Sequence, residues 1–245
     1  MTSETRALAP PPPFSDADRP ALFLDFDGTL VEIAEEPHLI SVPTHLNESL
    51  AALSRRLEGR IAIVSGRAVG NLDEHLDLAA IAAAGSHGGE MRMAGAKSAN
   101  PLAPIATEAA DAVRVLVGEH EGLMLEEKPY GMAVHYRAAP NAAETVIERL
   151  ETLAAGHDLA VKRGKMVAEL LPRGFNKGAA VHSLMMTEPF EGSLPIFIGD
   201  DVTDEDGFAA AAELGGFGIL VGPARDTAAR YRLEGPKEVY AWLTA

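Results

Sequence analysis

Four short apolar runs, at residues 21–24, 61–64, 81–84 and 195–198, each end against aspartate, serine or glycine, and this repeated ending constrains the chain more than any other feature. A run of about four apolar residues without polar alternation reads as a strand buried on both faces, with functional groups gathered beyond its C-terminal end. A fifth run, 217–221, follows an Ala-rich helix candidate at 208–214. Between the first two runs, Thr44 is expected to cap a helix passing through Leu50, Leu53 and Leu57 and stopping near Gly59. Strands alternating with helices predict an α/β fold, a doubly wound parallel sheet with helices on both faces.

The middle of the chain follows another rule. Residues 108–118 carry helical spacing at Ala109, Ala112, Val113 and Leu116, and the stretches 123–128 and 132–137 then flank Pro129-Tyr130-Gly131 as a hairpin. The pattern repeats: Asn141 with Glu144 reads as a capping box opening a helix through Val146, Leu150 and Leu153 to Gly156, and 159–161 and 166–171 flank Arg163-Gly164 as a second hairpin. This makes an inserted α+β cap of roughly seventy residues, within the lower range for a domain. Its expected place is near the C-terminal ends of the parallel strands, as a lid. The predicted organisation is therefore a disordered Pro-rich tail at 1–20, a first core segment at 21–98, the cap at 99–171 and a second core segment at 172–245.

Charge narrows the partners. With 21 Lys and Arg against 36 Asp and Glu the formal charge is -15, which repels nucleic acid and anionic membrane surfaces and favours a small-molecule substrate. An anionic substrate would need a site made locally positive by a metal ion or converging cations. The absence of cysteine removes thiolate nucleophiles, zinc–thiolate sites and disulfides, and is compatible with a reducing compartment. No stretch approaches the ~18 consecutive apolar residues of a membrane span, and the start of the chain lacks the basic and apolar regions of a secretory signal. A cytoplasmic protein is expected. There is no Walker or dinucleotide fingerprint, since Gly215-Gly216-Phe217-Gly218 opens a strand rather than a helix.

The chemistry is concentrated where the apolar runs end. In Asp25-Phe26-Asp27-Gly28-Thr29 an extended backbone projects both carboxylates to one side, and Gly28 allows a sharp turn. Two adjacent acids leaving a buried strand need a compensating charge, and a divalent cation supplies one. Asp200, Asp201 and Asp204 follow another apolar run and could complete an oxygen-only site suited to Mg²⁺. Phosphoryl transfer also needs donors for the non-bridging oxygens, and Ser65, Arg67 and Lys177 stand where loops should converge. In the insertion, alternation sends His135 and Arg137 to one face and Met132, Val134 and Tyr136 to the other. Lys128 belongs to the partner strand, and Glu169 stands between apolar neighbours.

Asp25 to Thr29, Ser65, Lys177 and Gly199-Asp200-Asp201 resemble, in order, the four motifs of the haloacid dehalogenase (HAD) superfamily of phosphohydrolases. Further stretches resemble its trehalose-6-phosphate phosphatase family: Ile63-Val64-Ser65-Gly66-Arg67, Gly85-Ser86-His87-Gly88-Gly89-Glu90, Glu127-Lys128, His135-Tyr136-Arg137, Gly164-Lys165-Met166-Val167-Ala168-Glu169 and Gly199 to Glu205. The resemblance implies a HAD-like core with a cap and a Mg²⁺-dependent hydrolysis of trehalose 6-phosphate. In it Asp25 is the nucleophile and Asp27 the general acid and base, with Ser65 and Lys177 on the phosphoryl oxygens and Lys177 keeping Asp25 ionised. The metal is held by Asp25, the backbone carbonyl of Asp27 and Asp200, with Asp201 or Asp204 nearby or acting through water. Arg67, His87, Glu90, Lys128, His135, Arg137, Lys165 and Glu169 are the implied substrate contacts. The rival readings are a phosphatase for another sugar phosphate, such as sucrose or glucosylglycerate phosphate, a non-catalytic sugar-phosphate binding protein, and a signalling receiver domain. The intact second acid Asp27 speaks against the last two.

Overall fold

The computed structural model describes residues 8–33, 40–99, 105–128, 131–164 and 166–245. In chain order the main elements are β1 Pro20–Leu24, α1 Leu46–Arg56, β2 Ile61–Val64, α2 Val69–Asp73, β3 Ala82–Gly85, β4 Glu90–Arg92, α3 Thr107–Gly118, β5 Met124–Lys128, β6 Gly131–His135, α4 Ala143–His157, β7 Leu159–Gly164, β8 Val167–Pro172, α5 Lys177–Met185, β9 Leu194–Gly199, α6 Glu205–Glu213, β10 Phe217–Val221, β11 Tyr231–Leu233 and α7 Pro236–Leu243. They form two compact units, Met1–Asn100 with Asn176–Ala245, and Pro101–Phe175.

The first unit is built on a seven-stranded sheet in the order β11-β10-β9-β1-β2-β3-β4, parallel throughout except for β4, which runs antiparallel to β3. The apolar runs explain why its middle strands are fully buried. Leu22, Leu24, Ile61, Ile63, Ile196 and Ile198 enter one core, while Ala21, Phe23, Ala62, Val64 and Phe197 enter the core on the opposite face. Such double-sided burial removes each run from water almost completely and leaves functional side chains only beyond the strand ends. The strand order places β1 between β9 and β2, so the loops after three strands open on one edge of the sheet.

The second unit is a four-stranded antiparallel sheet, β5-β6-β8-β7. Met132, Val134, Ala168 and Leu170 pack with Ala109, Val113 and Leu116 of α3 and with Val146, Leu150 and Ala154 of α4. The pleat therefore sends Ala133, His135 and Glu169 to the face away from this core.

Three local expectations are corrected. Thr44 does not cap α1: the cap position is His45, without a side-chain bond to the helix. The chain at Asn141 forms a 3₁₀ turn, Pro140–Ala142, and α4 begins after it with Ala142 at the cap, so no capping box joins Asn141 to Glu144. The third correction is larger: residues 1–7 of the expected disordered tail lie outside the described residues, and residues 8–20 are anchored to the first unit rather than disordered. The Trp242 indole donates to the Pro12 carbonyl at 2.8 Å, the Phe14 ring lies 5.0 Å from that indole, and the Arg56 guanidinium covers Phe14 at 4.6 Å. Arg232 N donates to the Ala9 carbonyl at 3.1 Å. A Pro-rich segment loses little entropy on ordering, so one aromatic anchor suffices to fix it as a strap along the core.

Deleting residues 1–14 removes a half-buried phenylalanine, worth about 1–2 kcal/mol. The thermal midpoint should fall by about 2–8 °C, at roughly 2–4 °C per kcal/mol for a chain of this size. An unchanged midpoint in a calorimetric scan would show that the strap contributes nothing.

Candidate active site

Strand pairing sets the positions of the acids. Leu24 lies opposite Ile198, and Asp25 N donates to the Ile198 carbonyl at 2.9 Å, so the chain leaves β1 and β9 at one level. Gly28 then turns in the left-handed region, φ 79°, and a Cβ there would come within 2.1 Å of Asp200 Oδ2. Glycine is required twice over, for the turn and for the carboxylate lying against it. Gly199 meets only the second need, since its Cβ would fall 2.2 Å from Asp204 Cγ.

Lys177 is the first residue of α5, whose N-terminus is capped by the Asn176 side chain accepting from Ala179 N at 2.7 Å. Its ammonium donates to Asp25 Oδ1 at 2.7 Å and to Asp204 Oδ1 at 2.6 Å, and all three side chains are buried. Asp204 Oδ2 accepts from Asp201 N at 2.9 Å, so both oxygens of Asp204 are engaged. Carboxylate oxygens of Asp25, Asp200 and Asp204 all lie within 4.8 Å of one another. One positive charge therefore serves three acids.

The electrostatic result follows. Burial drives the Asp25 carboxyl well above the usual range; Lys177 opposes this, and the charges of Asp204 and Asp200 add to it. Burial, then the Asp204 charge, pushes Asp200 up to about 7. Burial works against the charge on Lys177, but Asp204 and Asp25 outweigh it and hold the ammonium above its ordinary value. Lys177 lowers the Asp25 carboxyl, as expected of it, but burial and the neighbouring acids outweigh it. A cluster that offers only oxygen and carries more negative charge than its lysine offsets fits a hard divalent cation. Asp25 and Asp200 have the oxygens for it. Asp204 is engaged elsewhere, and Asp201 is exposed, its side chain accepting from the Asp204 N–H.

Asp27 has a different environment. Arg67 grips it through two bonds of 2.7 Å, Nε to Oδ2 and Nη2 to Oδ1, and donates to Asn71 Oδ1 at 2.9 Å. The Ser65 side chain is buried at the end of β2 and its Oγ accepts from Arg67 N at 3.2 Å. The neighbouring turn locks this loop. Ser86 N donates to the Arg67 carbonyl at 2.8 Å and His87 N to the Ser65 carbonyl at 3.0 Å. Glu90 Oε1 accepts from Val69 N at 3.0 Å and from Ser86 Oγ at 2.8 Å.

On the second unit, Lys128 Nζ pairs with Glu169 Oε1 at 2.7 Å, and His135 Nε2 meets Glu126 Oε2 at 2.9 Å. Arg137 is exposed beyond the end of β6, and Lys165 lies outside the described residues. Sequence reading missed Lys162, which stands directly across from Glu169 on β7. Register is the signal that could have found it, and a register is not fixed until the strands pair. It also missed Arg225, which reaches the loop of Asp200 from a distant segment.

A buried aspartate beyond the central strand, a lysine shared with a second acid and a third acid alongside bring together the residues whose motifs resemble those of the haloacid dehalogenase phosphatases, and the fold is one that such a phosphatase adopts. A solved phosphatase of that superfamily from Bacteroides thetaiotaomicron aligns over 91% of this chain and 92% of its own, with TM-score 0.66 at 16% identity. The chain belongs to the trehalose-phosphatase family, whose model matches residues 23–237. The trehalose-6-phosphate phosphatase of Escherichia coli K12 is 36% identical over 228 residues, covering 91% of this chain and 85% of that protein. A probable trehalose-phosphate phosphatase of Sinorhizobium fredii is 40% identical, covering 85% and 80%. The C-terminal domain of the C. albicans trehalose-6-phosphate phosphatase superimposes with TM-score 0.77 at 26% identity, over 92% of this chain and 91% of that one.

The raised acids fix a pH dependence. Asp25 and Asp200 bind protons more tightly folded than unfolded, where aspartate titrates near ~3.9. Their contribution to stability is complete below that value and is lost as pH rises through the folded one, about 7 for Asp200. In chelator, the thermal midpoint should fall from pH 5 to pH 8, and the increment on adding a divalent cation should grow over the same interval. An increment independent of pH would refute the cluster as the cation's site.

Proposed function

We propose that this chain hydrolyses trehalose 6-phosphate to trehalose and phosphate, the last step of trehalose biosynthesis, through a phosphorylated Asp25. The observation that carries the reading is the buried Asp25 sharing Lys177 with Asp204, in a chain of the trehalose-phosphatase family. An Asp25 oxygen attacks phosphorus and the bond to the sugar oxygen breaks, while Asp27 delivers a proton to that leaving oxygen. Asp27 then takes a proton from the water that cleaves the aspartyl phosphate. Ser65 and Lys177 donate to the phosphoryl oxygens as negative charge shifts among them.

Mg²⁺ is the cation that suits an all-oxygen site acting on a phosphate ester. Asp25 and Asp200 would hold it with the Asp27 carbonyl, and it would neutralise charge on the phosphoryl group. Arg67 is best placed as the group that orients Asp27, given its two-bond grip, and Glu90 and His87 as residues that shape the Ser65 loop. Lys128, His135, Arg137 and Glu169 are proposed as contacts for sugar hydroxyls. Charged sugar phosphates do not cross membranes unaided, which favours a cytoplasmic location. No helix among the described residues is long and apolar enough to cross a membrane.

Phosphate release measured with Mg²⁺ across trehalose 6-phosphate, sucrose 6-phosphate and glucose 6-phosphate tests the substrate, with the first expected to lead in kcat/KM. Asp27→Asn should reduce kcat on trehalose 6-phosphate by about 10²–10⁴-fold and on p-nitrophenyl phosphate much less, because a good leaving group needs little protonation. Equal losses would remove Asp27 as the general acid. Glu169→Ala should cost about 1–3 kcal/mol in kcat/KM for trehalose 6-phosphate, the range for losing a buried hydrogen-bonded partner, and little for p-nitrophenyl phosphate. Proportional losses on both substrates would make Glu169 a structural residue.

A further inference from the structure

Two loops of the first unit are fastened together beside Asp200 by groups that none of the chemistry above uses. Arg225 lies in the segment between β10 and β11. Its Nη2 donates to the Asp201 carbonyl at 2.8 Å and to the Asp200 carbonyl at 3.5 Å, and its Nη1 donates to the Asp226 carbonyl at 3.2 Å and pairs with Glu205 Oε1. The other Glu205 oxygen accepts from Ala228 N at 2.7 Å and from Thr227 Oγ1 at 3.1 Å. Glu205 opens α6, directly after the turn that contains Asp204. Arg225 and Glu205 thus tie the β9–α6 loop to the β10–β11 segment through four hydrogen bonds and one close ion pair.

We propose that Arg225 and Glu205 are a positioning pair for cation binding: they fix the peptide that follows Asp200 and so hold its carboxylate over Gly28 beside Asp25. The inference rests on the reading of this cluster as a Mg²⁺ site. Asp200 occupies the space a Cβ on Gly28 would fill, 2.1 Å from its Oδ2, so it has one narrow slot to enter. A carboxylate in such a slot is aimed by its own backbone, and here the Asp201 N–H is held by Asp204 Oδ2 while Arg225 bridges the Asp200 carbonyl and, more closely, the Asp201 carbonyl one peptide further on. The guanidinium contacts carbonyl oxygens here rather than the ligand carboxylates, so it acts through geometry. Outer groups that orient metal ligands change affinity by about 10–100-fold when removed.

The test uses Mg²⁺ alone, titrated calorimetrically into chelator-stripped protein without substrate. Arg225→Met should bind Mg²⁺ about 10–100-fold more weakly than wild type, and Arg225→Lys, which can still donate to one carbonyl, should fall between them. With p-nitrophenyl phosphate, Arg225→Met should lose activity at low Mg²⁺ and regain the wild-type kcat at saturation, a recovery that general loosening of the fold would not give. Should Arg225→Met not fold, Glu205→Gln carries the same expectation, since it keeps an acceptor for Ala228 and removes the charge facing Arg225. Unchanged Mg²⁺ affinity in a folded variant, or a kcat deficit that persists at saturation, overturns the positioning role while leaving the cation site intact. Wild-type protein that binds no Mg²⁺ overturns the cation site itself, and the positioning role with it.

Discussion

One ammonium, Lys177, bonds two buried carboxylates, Asp25 and Asp204, with the half-buried Asp200 beside them, and most of the first unit can be understood as what is needed to hold that arrangement. Asp25 stands 152 positions earlier in the chain and Asp204 27 positions later, so no local element could bring them together. Parallel pairing of β1 with β9 does so, because both strands deliver their next residues to one edge at one level. A buried ion pair is a weak source of stability, since the desolvation of each charge consumes what their attraction returns. Here the balance is worse, with two further acids beside Asp25. The cores on both faces of the sheet, lined by Leu22, Ile63, Phe23 and Phe197 among others, supply the apolar burial that lets the fold tolerate it.

The imbalance has a functional meaning. The nucleophile role proposed for Asp25 requires it ionised, yet burial and its acidic neighbours push it the other way. On the proposed reading a divalent cation and Lys177 together would hold both Asp25 and Asp200 ionised, and readiness for chemistry would be conditional on the metal. The rest of the molecule, at a formal charge of -15, works against an anionic substrate at long range. Attraction is therefore confined to the site. Arg67 adds less to it than its charge suggests, because its guanidinium is already matched by the Asp27 carboxylate in a planar two-bond pair.

The chain was most legible where one physical rule dominated. Runs of four or five apolar residues bounded by Gly, Ser or Asp are too short for a buried helix, and the observed β2 and β10 coincide with the stretches 61–64 and 217–221. The motif residues at strand ends were legible for the same reason, because an acid after a buried strand is costly without a task. Elements set by pairing rather than by composition were not legible: β4 is three residues long and contains Glu90 and Arg92, and β11 contains Arg232. Helix starts failed where a polar residue one position before the true cap offered the same local signal, as Thr44 does beside His45 and Asn141 beside Ala142. The Pro-rich segment was read from composition alone, and Trp242, 230 positions from Pro12, is what orders it.

The same distinction separates residues that do chemistry from residues that hold them. Ser86 and His87 sit in the left-handed region at φ 49° and 58°, a conformation that costs non-glycine residues of order 1–3 kcal/mol each. Such strain persists only where surrounding bonds outweigh it, and here they do: backbone bonds from both residues reach the Ser65–Arg67 loop, while Glu90 fastens Ser86 and Val69 together. Gly88 then lets this turn lie against the backbone at Asn176, where a Cβ would come within 2.6 Å of the carbonyl oxygen. The loop bearing Ser65 and the helix start bearing Lys177 are thus brought to bear on one rigid turn. A turn that touches both donors can keep their spacing constant while neither contacts the other, which is the geometric condition for two groups to grip one phosphoryl unit.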